Sequence, residues 1–255
     1  MSKSYIATLA EKDARIDGRK FDELRKPIKV ELGISNKAEG SAKVTWGETE
    51  VFVGVKMAVG TPYPDSPDQG VLITGAEMSP MSDPEFLPGP PSPVAIEVAR
   101  VVDRGIRESK MIDTKKLCIK EGELVWTVFL DIYPLNNDGN LIDAAALGAV
   151  AALKSAVFPK LENDRIVFGE FTKTKIPLNL LPITCTVISV DGKAIVDPCL
   201  EEEKNFDARI NVAVSEKGDI HAMQKGGFVG LDIDEADKMI GLAVKKSAEI
   251  RKALK

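Results

Sequence analysis

Residues 125–157 read VWTVFLDIYPLNNDGNLIDAAALGAVAALKSAV and predict a strand, a turn and a helix in succession. The strand spans residues 125–133, where Trp, Thr, Val, Phe, Ile and Tyr are residue types typical of a pleated, half-buried surface. Residues 136–140, NNDGN, tolerate positive φ and predict the turn. After Asp143, which can cap the helix by accepting backbone N–H groups, the only charge is Lys154. We therefore expect a buried helix, too short to cross a bilayer, which takes about 20 residues.

The turn before this helix has the scaffold of an anion site but lacks the usual donors. A helix N-terminus offers free N–H groups and a positive dipole end to an anion. A phosphate site normally adds Ser, Thr, Lys or Arg side chains, whereas this chain carries Asn140, Leu141 and Ile142 there. From these residues alone, a plain strand-to-helix corner is the favoured interpretation and an anion site is the alternative.

Length and charge limit the possible functions. At 255 residues the chain can bury the core of one large domain or of two modest ones. A net charge of −5 excludes a general polycation, so any nucleic-acid contact has to come from a local basic face or from a partner chain. The first residues lack the apolar region of a signal peptide, and no apolar run reaches transmembrane length, so we expect a cytoplasmic protein.

Metal, disulfide and serine–histidine chemistry find little support in the sequence. Cys118, Cys185 and Cys199 are odd in number and show no C-x-x-C spacing. The single histidine, His221, lies in a strand-like run, where a structural role is favoured. The acidic residues 201–203 fit either a magnesium site or a polar loop at a strand end, and the loop is favoured. We expect no metal and no cofactor.

Two β-rich blocks, each followed by a helix, predict the domain organisation. We assign an N-terminal arm to residues 1–27, a first domain to 28–160, a connector to 161–182 and a second domain to 183–255. Hairpins are predicted around residues 47–48, 191–192 and 217–218, and a terminal helix over 234–254. The fold class is α+β, with a duplicated β-rich/α unit and a mixed or antiparallel sheet in each half.

Two further segments have alternative interpretations. Residues 60–93 contain nine of the fifteen prolines and are mostly loop, with one strand at 71–78. Loops this long are usually functional or pack on another chain. In the arm, Arg15 and Arg19 flank an Asp-Gly turn; they are either solvated or clamp a neighbouring segment, and the sequence favours solvation.

A helix predicted over residues 94–110 carries a row of arginines. Arg100, Arg104 and Arg107 are spaced four and three residues apart and so lie along one face. They can point at phosphates, because guanidinium groups bind phosphate oxygens in two-pronged geometry. They can equally form ion pairs on a solvent face, and both interpretations stay open from the residues alone. The pairs would be Glu97 with Arg100, Asp103 with Arg107, and Arg104 with Glu108.

Several short motifs spread along the chain carry a resemblance to a known family. They are RIDGR at 15–19, KAEGSA at 37–42, PYPD at 62–65, PGPP at 88–91, VARVVDRGIR at 98–107, DGN at 138–140 and the acidic run within 197–203. On these motifs the chain resembles the RNase PH family over nearly its whole length. Within that family it is similar to the non-catalytic RNase PH-like subunits of archaeal exosomes. The resemblance implies an RNase PH-like (ribosomal protein S5 domain 2-like) fold.

The resemblance also implies an activity and partners. Members of the family degrade RNA from the 3′ end with inorganic phosphate and form hexameric rings that thread single-stranded RNA. For this chain it implies a hetero-hexamer, a trimer of heterodimers, with a catalytic RNase PH-like subunit, together with RNA-binding cap subunits, single-stranded RNA and no membrane. It also favours Arg104 and Arg107, with Arg100 next, as RNA-binding residues.

Two departures from the family pattern predict a chain without catalytic residues. Active members carry Gly-Thr-Arg or Gly-Ser-Arg in the turn before the buried helix, where this chain has Asn140, Leu141 and Ile142. Their catalytic aspartate lies six residues after an acidic run, which here falls on Arg209. An arginine stays protonated and cannot act as that acid.

An active phosphorolytic exoribonuclease remains the alternative, with a relocated acid. Asp207 lies two residues before Arg209, and residues two apart in an extended segment share a face. Asp197 is the other candidate. A non-catalytic ring subunit that helps to structure its partner's active site is the favoured prediction, because two independent positions have lost their chemistry.

Overall fold

The computed structural model describes residues 3–255, except for the side chain of Ser4, so the first two residues of the expected arm lie outside it. Five α-helices and twelve strands are described. In the first part of the chain they are α1 (Lys3–Glu11), β1 (Ile28–Leu32), β2 (Gly40–Trp46), β3 (Thr49–Gly60), β4 (Val71–Ala76), α2 (Pro93–Glu108), β5 (Cys118–Lys120), β6 (Leu124–Asn136) and α3 (Leu141–Ser155). In the rest they are β7 (Val157–Glu162), β8 (Arg165–Lys175), β9 (Ile183–Val190), β10 (Lys193–Val196), α4 (Leu200–Glu203), β11 (Ala208–Val214), β12 (Ile220–Gly226) and α5 (Ile233–Ile250).

The first sheet is mixed, which is one of the two forms that the sequence left open. Its strand order is β1-β2-β3-β6-β4, with β5 also paired to β6. All pairs are antiparallel except β4 with β6, which are parallel. The predicted strand 125–133 is the middle of β6, where Val128, Leu130 and Ile132 are fully buried and the residues between them are not. This alternation is the sign of a strand with one face on the core.

The second sheet is antiparallel and contains both hairpins predicted for this half. Its order is β10-β9-β11-β12. All eight residues of β9 are buried, because helices cover both faces of the strand. On one face α1 packs Ile6 and Ala10 against Ile188, and on the other α5 contributes Met239 and Ala243 to the main core. The α+β class and the repeated order of strands followed by a helix are confirmed.

Helix α3 joins the two halves into one core. It packs on β2 and β3 of the first sheet and on β9 of the second, and thirteen of its fifteen residues are buried. At Gly148 a Cβ atom would lie 2.7 Å from the side chain of Val53, so only glycine allows this close approach to the sheet. The prediction of a buried helix is confirmed.

The prediction that Asp143 caps α3 is wrong. The helix begins at Leu141, and the N-cap is Asn140 in the left-handed conformation, with φ 55°. Asp143 lies inside the first turn, and its carboxylate accepts hydrogen bonds from the backbone N–H and the hydroxyl of Thr186 in β9, at 2.8 and 2.7 Å. It therefore links the two halves of the fold instead of capping its own helix.

The segment expected as a connector contains regular structure. Strand β8 pairs with β7 as a separate two-stranded antiparallel sheet, so most of a hairpin lies within residues 161–182. The row of arginines lies on α2, which Ser92 caps by accepting the N–H of Ala95 and which has Pro93 at its first position. Over residues 3–255, no helix combines the length and apolarity needed to span a membrane.

Candidate functional site

At the start of α3, a carboxylate of the chain itself occupies the anion position. The backbone N–H of Asn140 donates to Glu203 Oε2 at 3.1 Å. Glu203 is the last residue of the short helix α4, which lies beside the turn between β6 and α3. Burial raises the pKa of Glu203, whereas Arg209 and the Asn140 N–H favour its charged form. The positive end of α3 is thus satisfied internally.

A cavity of about 220 Å³ remains next to this corner. Leu141 and Ile142 line it with apolar side chains, which cannot donate to a phosphate. The Asn137 amide at its edge is already bound to Asp83 at 2.7 Å. Asn140, Leu141 and Ile142 thus supply no cationic or hydroxyl side chain at this corner, and the two cations that line the cavity, Lys204 and Arg209, are paired with Glu85 and Glu97.

Arg209 occupies the expected acid position, at the second residue of β11. Its side chain is buried, and it forms an ion pair with Glu97 of α2. Its guanidinium lies 5.5 Å from the centre of the Phe206 ring and so close to Gly226 that a Cβ there would be 2.9 Å from Nη2. A cation held between a carboxylate, an aromatic ring and a glycine backbone takes no part in acid catalysis.

Asp197 is the centre of a buried polar network. Its carboxylate accepts from Arg25 Nη2 at 2.8 Å, Arg19 Nη1 at 3.1 Å, Trp46 Nε1 at 3.0 Å and Asn140 Nδ2 at 2.9 Å. Although burial works in the opposite direction, the attraction of Arg25 and its hydrogen bonds hold the pKa of Asp197 below its ordinary value. Asp197 is ionised and has its oxygen atoms occupied, so it is not available as a proton donor.

The other alternative acid points to a different part of the surface. Asp207 forms an ion pair with Lys3 at 2.6 Å and accepts the backbone N–H of Asp191 at 2.8 Å. These partners belong to α1 and to the turn between β9 and β10. The even spacing from Arg209 does not bring Asp207 to the cavity beside α3.

The arm arginines are clamped, contrary to the interpretation that the sequence favours. Arg15 is 4% exposed and binds Glu202 through two hydrogen bonds, at 2.9 and 2.6 Å. Arg19 bonds to Asp197. The acidic run at 201–203 is the helix α4 and not a strand-end loop, and Glu202 also accepts the backbone N–H of Cys199 at 3.0 Å. Sequence reasoning missed the partners of Arg15 and Arg19 because each lies more than 170 residues away along the chain.

The row of arginines on α2 is only partly ion-paired. Asp103 and Arg107 form the expected pair at 2.9 Å, and Arg107 also donates to the carbonyl of Leu72 at 3.1 Å. Glu97 pairs with Arg209 and not with Arg100, so that predicted pair is wrong. The predicted pair of Arg104 with Glu108 is likewise not formed.

Arg100 and Arg104 are exposed and, within residues 3–255, make no hydrogen bond or ion pair. Arg100 borders a groove with Asp131 and Tyr133, whereas Arg104 lies near Met223 of β12. Two guanidinium groups on one helix thus face solvent without an internal partner.

Comparisons with known proteins identify the family. Residues 24–159 match the first domain of the 3′ exoribonuclease family, RNase PH, and residues 181–246 match its second domain. The chain belongs to the 3′ exoribonuclease (RNase PH) family.

Individual relatives extend over the full chain. It is 47% identical to the exosome complex component Rrp42 of Methanocella arvoryzae, with 100% of this chain and 95% of the relative covered. It is 49% identical to the Rrp42 component of Methanosarcina mazei, with 98% and 92% covered. Among solved structures it is similar to a chain of the Archaeoglobus fulgidus exosome with RNA bound to the active site, with 42% identity, a TM-score of 0.90, and 99% and 97% covered. Rice Rrp46, at 20% identity and a TM-score of 0.70, shares the fold.

Proposed function

We propose that this chain is a non-catalytic subunit of an exosome, a phosphate-dependent complex that degrades RNA from the 3′ to the 5′ end. It forms a hexameric ring with a catalytic RNase PH-like paralogue, as a trimer of heterodimers, and helps to structure the paralogue's active site. RNA-binding cap subunits complete the assembly, which acts in the cytoplasm. The full-length similarity to exosome components supports this proposal.

One observation carries the non-catalytic part of the proposal. Both positions that would do chemistry are occupied by charges from the chain itself: Glu203 at the Asn140 N–H, and Arg209 paired with Glu97. A phosphate at the start of α3 would have to displace a carboxylate, and no proton donor stands at the start of β11. Active phosphorolysis through Asp207 or Asp197 has no comparable support.

A phosphorolysis assay tests this part directly. The purified chain, given poly(A) and inorganic phosphate, should release no nucleoside diphosphates, whereas the complex with the catalytic paralogue should release them. Asp207→Ala in the assembled complex should leave the rate unchanged, because Asp207 is tied to Lys3 and Asp191 at the surface. Loss of activity in that variant, with the ring intact by mass measurement, would favour an active chain.

We further propose that Arg104, Arg100 and Arg107 contact RNA phosphates. A chain with a net charge of −5 needs a local basic face for this contact, and α2 provides one. Arg100 and Arg104 have no partner in the described chain, so RNA can bind them without breaking an ion pair. Arg107 shares its charge with Asp103 and contributes less.

We also propose the division into an arm at 1–27, domains at 28–160 and 183–255, and a connector at 161–182. The family models match residues 24–159 and 181–246, near the same limits. The hairpin formed by β7 and β8 then overlaps the connector, while α3 supplies the surface on which the two domains pack.

A further inference from the structure

A cavity of about 550 Å³ lies beyond the end of α2, separate from the cavity beside α3. It is enclosed by the loop between β3 and β4, the last turn of α2 and the short 3-10 helix Thr114–Leu117. The base of the cavity is apolar and consists of the side chains of Leu72, Ile106, Ile112 and Leu117, all of them buried. Pockets for small molecules usually combine such an apolar base with a few polar groups at the rim.

The rim of this cavity is basic in an acidic protein. Three cations line it, Arg107, Lys110 and Lys115, against one acid, Asp113. Asp113 is itself paired with Lys116 at 3.1 Å, so it does little to neutralise the rim. Lys115 is largely exposed and lies 3.4 Å from Asp68, an arrangement that is worth little in solvent. The Lys110 amine has no partner in the described chain.

Lys110 holds an unusual backbone conformation at this rim. It follows α2 with φ 53°, and the hydrogen bonds from Lys110 N to Arg107 O and from Met111 N to Ile106 O close the helix end. Glycine is the preferred residue at this left-handed position. A lysine here is less favourable for the backbone than a glycine would be, and this makes Lys110→Gly a substitution that removes the amine without straining the fold.

Tyr63 supplies an aromatic surface at the mouth of the cavity. It is one of only three tyrosines, and it is 58% exposed on the loop between β3 and β4. The amide of Gln69 lies on the same rim, where its oxygen accepts the Thr114 hydroxyl at 3.0 Å and its NH₂ group has no partner in the described chain. An exposed aromatic ring beside cations is the combination that single-stranded nucleic acids bind.

We propose that this cavity binds one nucleotide of single-stranded RNA, with the base on Tyr63 and the apolar base of the cavity and the phosphate between Lys110 and Lys115. The inference rests on the proposed function and extends it, since Arg107 links the row of arginines to this rim. The same chemistry would accept a free nucleoside diphosphate, so the two sources have to be separated by experiment.

The key variant is Lys110→Gly in the assembled complex, with a fluorescent oligo(A) as the probe and no phosphate present. Glycine suits the left-handed position, so the thermal midpoint should stay equal or rise. RNA binding should weaken, and the slope of log affinity against log salt should fall by about one unit for the lost phosphate contact. Tyr63→Leu should weaken binding by about 5-fold or more through lost stacking.

Lys217→Ala is the matched control, because it removes the same charge from the exposed turn between β11 and β12, which does not line the cavity. Binding that is as strong in Lys110→Gly and Tyr63→Leu as in this control would overturn the inference. If the double variant Arg100→Ala, Arg104→Ala weakened RNA binding while the two cavity variants did not, the proposed RNA contact along α2 would be supported and the cavity site would be rejected. Competition between ADP and the probe distinguishes RNA from a free nucleoside diphosphate as the ligand. If Lys110→Gly leaves the affinity for ADP unchanged, the site is assigned to RNA. If Lys110→Gly lowers the affinity for ADP but not that for RNA, the RNA assignment is overturned.

Discussion

The corner beside α3 and the solvent face of α2 differ in whether their charged side chains are paired within the chain. At the corner, Glu203 and Arg209 each have a partner from the same chain. On α2, Arg100 and Arg104 have none within the described residues. Charged side chains that are already paired within the chain gain little from binding a ligand, whereas unpaired cations on a rigid helix attract anions from outside. The two regions thus differ in one respect: the charged groups beside α3 are paired within the chain, whereas Arg100 and Arg104 are open to an anion from outside.

Removing the centre of the buried network should have the largest effect. Asp197→Ala leaves the buried Arg25 without its main partner and removes one of the two carboxylates that pair with Arg19. Breaking such a buried pair costs about 3–5 kcal/mol of unfolding free energy. Urea unfolding of the purified chain measures it. Asp207→Ala, which breaks a surface pair with Lys3, should cost about 1 kcal/mol or less. Equal losses in the two variants would contradict the structural role of Asp197.

Protonation of Asp143, in the first turn of α3, should make the unfolding free energy depend on pH. Burial raises the pKa of Asp143 to about 7, against the opposing hydrogen bonds from Thr186 and Asn140. Below pH 3.8, the ordinary pKa of this group, the raised pKa contributes its full stabilisation to the folded state. This stabilisation is lost as the pH rises through 7. The loss over that window is on the order of 3–4 kcal/mol.

The measurement is the difference in unfolding free energy between the natural chain and Asp143→Asn from pH 4 to pH 7. It should fall as pH rises, because the natural chain alone has to ionise the buried carboxyl. Asp207→Asn is the control, since hydrogen bonds from Lys3 and Asp191 lower the pKa of Asp207 in spite of its partial burial. A flat difference for Asp143→Asn would show that its carboxylate is already ionised at pH 4.

Restoring a carboxylate at the acid position should not restore activity. Arg209→Asp places a negative charge beside Glu97 and removes a cation that favours the charged form of Glu203. We therefore expect the unfolding free energy to fall by about 1–3 kcal/mol, which is less than for a fully buried pair because Glu97 is 41% exposed. The isolated variant should release no nucleoside diphosphates from poly(A) in phosphate. Release of them would mean that the corner still binds phosphate despite Glu203.

The smallest effects distinguish the arginines of α2 from one another. In the assembled complex, Arg104→Ala and Arg100→Ala should each lower the salt slope of oligo(A) binding by about 0.7–1 unit. Arg107→Ala should lower it less, because Arg107 is tied to Asp103 and to the Leu72 carbonyl. An unchanged slope in the double variant of Arg100 and Arg104 would reject phosphate contact along α2.

Local patterns predicted much of this fold. Alternating and continuous apolar runs indicated the strands and the buried helix, and Asp191-Gly192 marked a hairpin whose strands lie as expected. Counting from the acidic run reached Arg209, which does occupy the start of β11. These inferences succeed because side-chain periodicity and turn chemistry act over a few residues.

Partners across the chain could not be found in this way. Arg15 and Arg19 looked like solvated arm residues, Asp143 like a helix cap, and Glu97 like the partner of Arg100. Arg15, Asp143 and Glu97 instead bind partners from distant segments, Glu202, Thr186 and Arg209. Arg19 binds the distant Asp197 in addition to its neighbour Asp17. Burial strengthens such charged contacts, so distant partners replace or supplement the local ones.

The order of residues alone was enough to specify most strands and the long helices, because these depend on residue identity and short spacing. Together with the family resemblance, it also specified that phosphate donors and a catalytic acid are missing where active members carry them. Only the packing of the two halves around α3 determined that Glu203 fills the anion position, that Arg209 meets Glu97, and that Arg100 and Arg104 stay free. The physical reason is that charge pairing depends on distance in space, and the distances that matter join segments far apart along the chain.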